Sequence, residues 1–323
     1  MRFFAALLLV CALAPSARSQ SFRKEHVAAD AAWTLHCDVA ALFKSRLGQR
    51  LAQTMEKHDA AHQLAAFRAM FQLDPTKDIA AVTLYGRAEN PQDGVALVHG
   101  RFKPDHIATI LKANPTYREH RHGKASIHEW QNEKKDAAGE EQKSEPMFLS
   151  FRGDGLLALS SSLTAAQHAL DVLARSKPSL TNPDLLRGME QAAPGNYLRL
   201  NASMAGIKEA LPQQNEMLDN VKTLRVAIGE SLDNLNLHLM LDIADAETAA
   251  QMHAMAQGFL AMAQMQNADN PDLARLIQRL SITLDGSSLR AAFKIPVQEA
   301  LDATDKLPIQ VAPGGGGFGV GVE

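Results

Sequence analysis

A chain of 323 residues that is 46% hydrophobic and 21% charged can bury a sizeable core and is not wholesale disordered. Its 33 basic and 36 acidic residues are nearly balanced and spread along the chain, which argues against nucleic acid or an anionic membrane as the main partner. With only two cysteines, Cys11 and Cys37, a disulfide scaffold is excluded.

The chain opens with Arg2, an apolar run from Phe3 to Ala14 too short to span a bilayer, and small residues in Ala17-Arg18-Ser19. This order predicts a secretory signal peptide over 1–19, cleaved after about Ser19. Cys11 follows Val10, where lipid attachment wants a small residue. Without Arg2 and Arg18 the chain has 31 bases against 36 acids, net −5, and only Cys37, which sits inside the apolar stretch Trp33 to Val39 and reads as a small buried thiol. No later run is long and apolar enough for a membrane-spanning helix.

Trp33 to Cys37 reads as a strand, and Asp38 is placed to cap a helix from about Ala40 to Lys57. Ala60 to Phe71 is a second helix, followed by turn chemistry at Asp74-Pro75. Ile79 to Gly86 and Val95 to Phe102 form a hairpin, and Pro104 starts the next helix. Tyr117 to Trp130 is strand-like and strongly polar, and Gln131 to Pro146 is a solvated loop. Met147 to Phe151 and Leu156 to Ser160 make another hairpin, and Thr164 with Gln167 matches a capping box for a helix to about Ala174. Three prolines mark Lys177 to Pro194 as a connector.

The second half repeats that order. Tyr197 to Leu200 is a strand, Asn201 stands where Asp38 stood, and a helix covers Met204 to Leu211. From Leu224 apolar residues alternate with polar ones to Ile243, around a turn at Asp233-Asn234, which makes a hairpin with one buried face. Leu237 and Leu239 fall on that face, and His238 and Met240 on the other. Asp245 caps a helix over Ala246 to Met265 that lies back on the Leu face. An extra helix after Asn270-Pro271, a hairpin turned by Asp285-Gly286 and a short helix over Val297 to Thr304 complete the chain.

The predicted fold is α+β, a duplicated β-α-β-β-α-β-β-α unit with mostly antiparallel sheets and helices packed on one face. The first repeat covers 20–177, the connector 178–194, the second repeat 195–307, and a Gly-rich flexible tail 308–323. Leu73-Asp74-Pro75-Thr76-Lys77-Asp78-Ile79, Val82-Thr83-Leu84-Tyr85-Gly86, and Ile228-Gly229-Glu230 through the Leu strand and the Ala/Met helix resemble uncharacterised exported proteins of planctomycete- and verrucomicrobia-type bacteria. That resemblance implies no activity.

Several residue groups are candidates for chemistry. His120 and His122 lie two apart on one strand with His128 nearby, a possible start for a Zn or Cu site, although Arg118 and Arg121 oppose a cation and an exposed polar edge strand explains them as well. Met252, Met255, Met262 and Met265, with His253, offer soft thioethers to Cu(I), yet Met and Ala at helical spacing are far more often core filler. Arg152-Gly153-Asp154 spells an adhesion tripeptide, and a tight turn needs those residues anyway. Gly314 to Gly319 satisfies G-x-G-x-x-G by spelling only, with no βαβ context; a flexible tail, or one read by another protein, fits it. Ser160, Ser161 and Ser162 lack a nucleophile elbow, and His168 completes no triad. Asn201-Ala202-Ser203 spells a glycosylation sequon in a capping position.

No catalytic, cofactor-binding or metal residue is therefore assigned, and His120, His122 and His128 stay weak metal candidates. The expectation is an exported, periplasmic or extracellular, non-catalytic binding or structural protein. It needs no cofactor, and its partner is an unknown protein or envelope component rather than nucleic acid. The alternative is an enzyme whose site assembles in the groove between the two repeats.

Overall fold

The computed structural model describes residues 21–55, 60–87, 93–131, 134–135, 141–142, 146–153, 155–190, 195–207, 219–267 and 270–306. The expected signal peptide and Gly-rich tail, Asp154 of the Arg-Gly-Asp turn, and most of the loop after Gln131 lie outside these residues.

The first half contributes strands β1 (Ala31–Asp38), β2 (Ile79–Arg87), β3 (Gly94–Gly100), β4 (Arg118–His122) and β5 (Ala125–Gln131). A two-rung ladder, β6 (Lys134–Lys135) with β7 (Glu141–Gln142), stands apart, and β8 (Pro146–Arg152) and β9 (Leu156–Ser160) follow. The second half adds β10 (Asn196–Ser203), β11 (Val221–Ser231), β12 (Asn234–Ile243), β13 (Leu280–Asp285) and β14 (Ser288–Pro296). All but β6 and β7 join one sheet of twelve strands, in the order β13-β14-β12-β11-β10-β1-β2-β3-β9-β8-β5-β4. Every pairing in it is antiparallel.

The seam between the halves is the β1–β10 ladder, from Trp33 opposite Ala202 to Cys37 opposite Leu198. Outward from it one half runs β10, β11, β12, β14, β13 and the other β1, β2, β3, β9, β8, to which β5 and β4 are added. The two halves are thus joined by a continuous backbone ladder.

Helices cover both faces, which corrects the expectation of one covered face. On one face, marked by Leu84, Ala96, Val98 and Leu157, lie α1 (Val39–Lys44), α2 (Arg46–Met55), α3 (Ala60–Phe71), the single turn α4 (Pro75–Asp78) and α5 (Pro104–Lys112). On the other, marked by Tyr85, Leu97 and Ala158, lie α6 (Leu163–Leu173) and α7 (Pro183–Glu190). The cause is visible in β3, where Val95-Ala96-Leu97-Val98 is buried without alternation; a strand covered on both sides is apolar on both sides. Asp38 caps α1 by accepting from the Ala41 N–H at 2.9 Å, but Ser45 ends that helix and the expected single helix becomes two. Ser162, rather than Thr164, caps α6 through the Ala165 N–H.

The second half is covered more sparsely. After the single turn α8 (Met204–Ile207), α9 (Ala246–Gln266), α10 (Pro271–Gln278) and α11 (Val297–Lys306) pack on the Leu84 face. Asp245 caps α9 as expected, accepting from the Thr248 N–H at 2.7 Å. The helix does not return over the middle of β12, however. It crosses β13 and β14, which pair outside β12, and meets Ile243, Leu241, Leu289, Ile282 and Leu284. Leu237 is left 38% exposed and Leu239 only half-buried.

Candidate functional site: an apolar cleft beside a long exposed helix

The three histidines singled out from the sequence do not converge. His120 and His122 share a face of the edge strand β4, and each has its own acid: His120 Nε2 lies 2.5 Å from Glu129 Oε2, and His122 Nε2 lies 2.7 Å from Asp171 Oδ1. His122 holds the Asp171 carboxyl below the usual carboxylate range. His128, opposite Glu119 in the ladder, points to the other face. It meets Tyr117 there, with Nδ1 2.9 Å from the hydroxyl, and burial lowers its pKa. Among the described residues no group of three His, Cys, Asp or Glu side chains is placed to hold a metal ion.

The candidate serines and Asn201 are engaged by the fold itself. Ser160 donates to the Ser162 carbonyl, Ser161 to Asp93, and Ser162 caps α6. Asn201 lies within β10 rather than at a helix start, and its amide donates to the Leu185 carbonyl. Asp242 is the centre of a connected polar cluster. It accepts from Thr223 and Ser288, each at 2.7 Å, and from Arg225. Burial pushes its carboxyl up, but those two hydroxyls and the Arg225 guanidinium outweigh it and hold the group below the usual range. Three of its roughly four acceptor sites are therefore taken by the fold itself.

The cleft lies elsewhere. Ala256, Phe259, Leu260 and Ala263 of α9, Leu276 and Ile277 of α10, Leu280 and Ile282 of β13, and Phe293 of β14 enclose about 550 Å³. That volume falls within the roughly 300–1,000 Å³ of small-molecule sites. Its lining holds no titratable or hydrogen-bonding side chain.

Sequence chemistry explains why it stays open. The helix α9 has 21 residues, about 31 Å at 1.5 Å per residue. Its only Asp, Glu, Lys or Arg is Glu247, so apolar residues run round its circumference. Ala249 alone is buried. Ala256, Leu260 and Ala263, at helical spacing, face the sheet and form the cleft wall. Phe259, 62% exposed, stands at the mouth. Met255 and Met262, four residues before it and three after, share its side of the helix and are 45% and 51% exposed; Met265, at the helix end, is 79% exposed. Of the expected thioether set only Met252 is packed as core filler, against Ile243 and Leu289. His253 and Gln257 serve the sheet edge: the Gln257 amide donates to the Ile282 carbonyl at 3.1 Å, and His253 Nε2 lies 3.3 Å from the same oxygen. The sequence signal for the cleft was the absence of charge after Glu247, which a helix lying fully on a sheet does not need.

The geometry defines a large antiparallel α+β sheet protein with an apolar cleft at one end and no reactive constellation among the described residues. No protein-family model matches the chain, and no curated protein matches it in sequence. Among solved structures it is similar to crystal form III of the treponemal protein TP0453. That likeness has a TM-score of 0.51 at 10% identity and covers 89% of this chain and 99% of that one. Crystal forms I and IV give TM-scores of 0.49 and 0.47, also at 10% identity. At this identity the likeness to form III shows the fold.

Proposed function

We propose that the chain is an exported, non-catalytic binding protein of the periplasm or cell envelope, whose ligand is an uncharged hydrocarbon or acyl chain held between α9, α10, β13 and β14. The observation that carries this reading is the cleft itself: about 550 Å³ lined throughout by apolar side chains, with Phe259 exposed at its mouth. A charged or hydrogen-bonding ligand entering it would lose its hydration without replacement, which costs kilocalories per group. A methylene chain gains from the same transfer. Export rests on the N-terminal pattern around Arg2, Phe3 to Ala14 and Ser19. The matching strand order of the two halves outward from the β1–β10 seam supports reading them as two copies of one unit.

N-phenyl-1-naphthylamine, an uncharged apolar probe that brightens on leaving water, tests the site. The protein is expected to bind it at one site and to release it to dodecanol. Ala256→Trp, which places an indole in the cleft, is expected to weaken binding at least about tenfold, or about 1.4 kcal/mol, without loss of the fold's circular dichroism. Unchanged binding by a folded Ala256→Trp variant would refute the assignment.

A further inference from the structure

The thioethers on α9 have one property that the cleft does not require: they can change polarity. Met255, Met262 and Met265 are 45%, 51% and 79% exposed, whereas Met189 and Met204 are 1% and 6% exposed. Among the described residues the one cysteine thiol, Cys37, is buried at 2% exposure, and the methionines exposed beside the cleft are these three. Met255 and Met262 flank Phe259 on its own side of the helix, at the mouth.

We propose that Met255, Met262 and Met265 are oxidation sites for a peroxide, and that their conversion to sulfoxides closes the apolar cleft to its ligand; this rests on the cleft being a ligand site. In the reaction a sulfur lone pair attacks one oxygen of hydrogen peroxide and the O–O bond breaks. The departing hydroxide takes the proton from the new S–OH group, leaving the sulfoxide and water. Sulfur loses two electrons and the peroxide gains them. Each product is a polar, chiral S=O group where a flexible apolar side chain stood. Two of them beside Phe259 hydrate the mouth and bring a dipole to the entry of a cleft that has no group to pair with it. The change is reversible, because sulfoxide reductases return each epimer to the thioether.

The experiment treats the full chain with hydrogen peroxide, maps oxygen uptake by peptide mass spectrometry, and titrates N-phenyl-1-naphthylamine before and after. Met255, Met262 and Met265 are expected to gain oxygen well before Met189 and Met204, and probe affinity to fall about tenfold. Sulfoxide reductase treatment is expected to restore it. The triple variant Met255→Leu, Met262→Leu, Met265→Leu, close to volume-conserving, is expected to bind the probe and to keep it after peroxide. That variant retains Met70, which is 54% exposed on α3, and so separates the cleft methionines from exposed methionine in general. Probe binding that survives complete sulfoxidation of the three residues would overturn the switch and leave the cleft assignment standing. Oxidation of Met189 as early as Met262 would overturn the site selectivity. An untreated protein that binds no probe would overturn the cleft assignment and the switch with it.

Discussion

Acid should weaken this fold through one identifiable imidazole. His99, near the end of β3, is 5% exposed, and its Nε2 lies 3.3 Å from Nδ1 of His26. The two rings are inclined by only 8°, with centroids 5.4 Å apart, so the neutral pair shares one N–H···N bond. Among the described residues the buried His99 Nδ1 atom has no partner, so none of them accepts a second proton there. Burial first, then the charges of His26 and Arg23, push the His99 pKa down to about 4. Burial is also the main cause that lowers His26, where Glu25 opposes the shift and Arg23, Arg152 and Arg175 add to it. The folded pKa thus lies below the ordinary imidazole value of about 6.5, so the unfolded chain takes up the proton first. The contribution is complete above about pH 6.5 and is lost as pH falls towards 4. Between about pH 6.5 and pH 4, at 1.36 kcal/mol per pH unit, the loss reaches about 3 kcal/mol. Urea unfolding at about pH 7.5 and pH 4 measures it, with His99→Gln as the reference that shares every carboxylate titration. Wild type should lose about 3 kcal/mol more than the variant over that interval. Parallel losses in the two proteins would refute the argument.

Further outcomes follow from single contacts. Leu232 and Asp233 form the two-residue turn of the β11–β12 hairpin with φ of 50° and 60°, and Leu232 is 89% exposed. A left-handed Leu costs about 1–2 kcal/mol, so Leu232→Gly should raise stability by roughly 1 kcal/mol by urea midpoint, and a lowered midpoint would show that the tip is packed. Leu97→Ala, at a fully buried site on β3, should cost about 2–5 kcal/mol, whereas Leu237→Ala on the open part of β12 should cost less than about 1; equal costs would mean that the second half is covered as densely as the first. The Glu230 carboxylate of β11 accepts from the Arg46 and Leu47 N–H groups at 2.9 and 2.8 Å, at the start of α2. Glu230→Ala should therefore cost about 1–2 kcal/mol in unfolding free energy, and no change would show that solvent caps that helix equally well.

Local periodicity made much of this fold legible. The β2–β3 hairpin, the α9 boundaries, the Asp38 and Asp245 caps and the Asp285-Gly286 turn, where Gly286 takes φ of 60°, all follow from residues within a few positions of one another. The helix α7 was missed because Pro183 and its neighbours read as a linker, although Pro suits a first helical turn and Asn182 accepts from the Asp184 N–H. The unbroken run Val95 to Val98 already held the two-sided burial, but its second layer comes from α6, about seventy residues later. The uncharged α9 hinted at an apolar surface, but the position of the cleft was illegible for the same reason. Its walls come from α9, α10, β13 and β14, and the decisive fact is that β14 pairs with β12. That pairing carries the sheet outward and draws the returning helix away from Leu237 and Leu239.

The seam at β1 and β10 also sets an order of events for a chain made from its N-terminus. Once β2 is available, one side of β1 is satisfied through rungs such as Leu35 opposite Leu84. Its other side waits for Leu200, more than 160 residues downstream, and a central strand with a bare backbone edge is a template for any extended segment it meets. Until residues 196–203 emerge, the amino-terminal half is a finished core with an unfinished border. Slowing synthesis between Ser160 and Asn196 should therefore lengthen the interval in which this protein is most exposed to chaperones, proteases and its own copies.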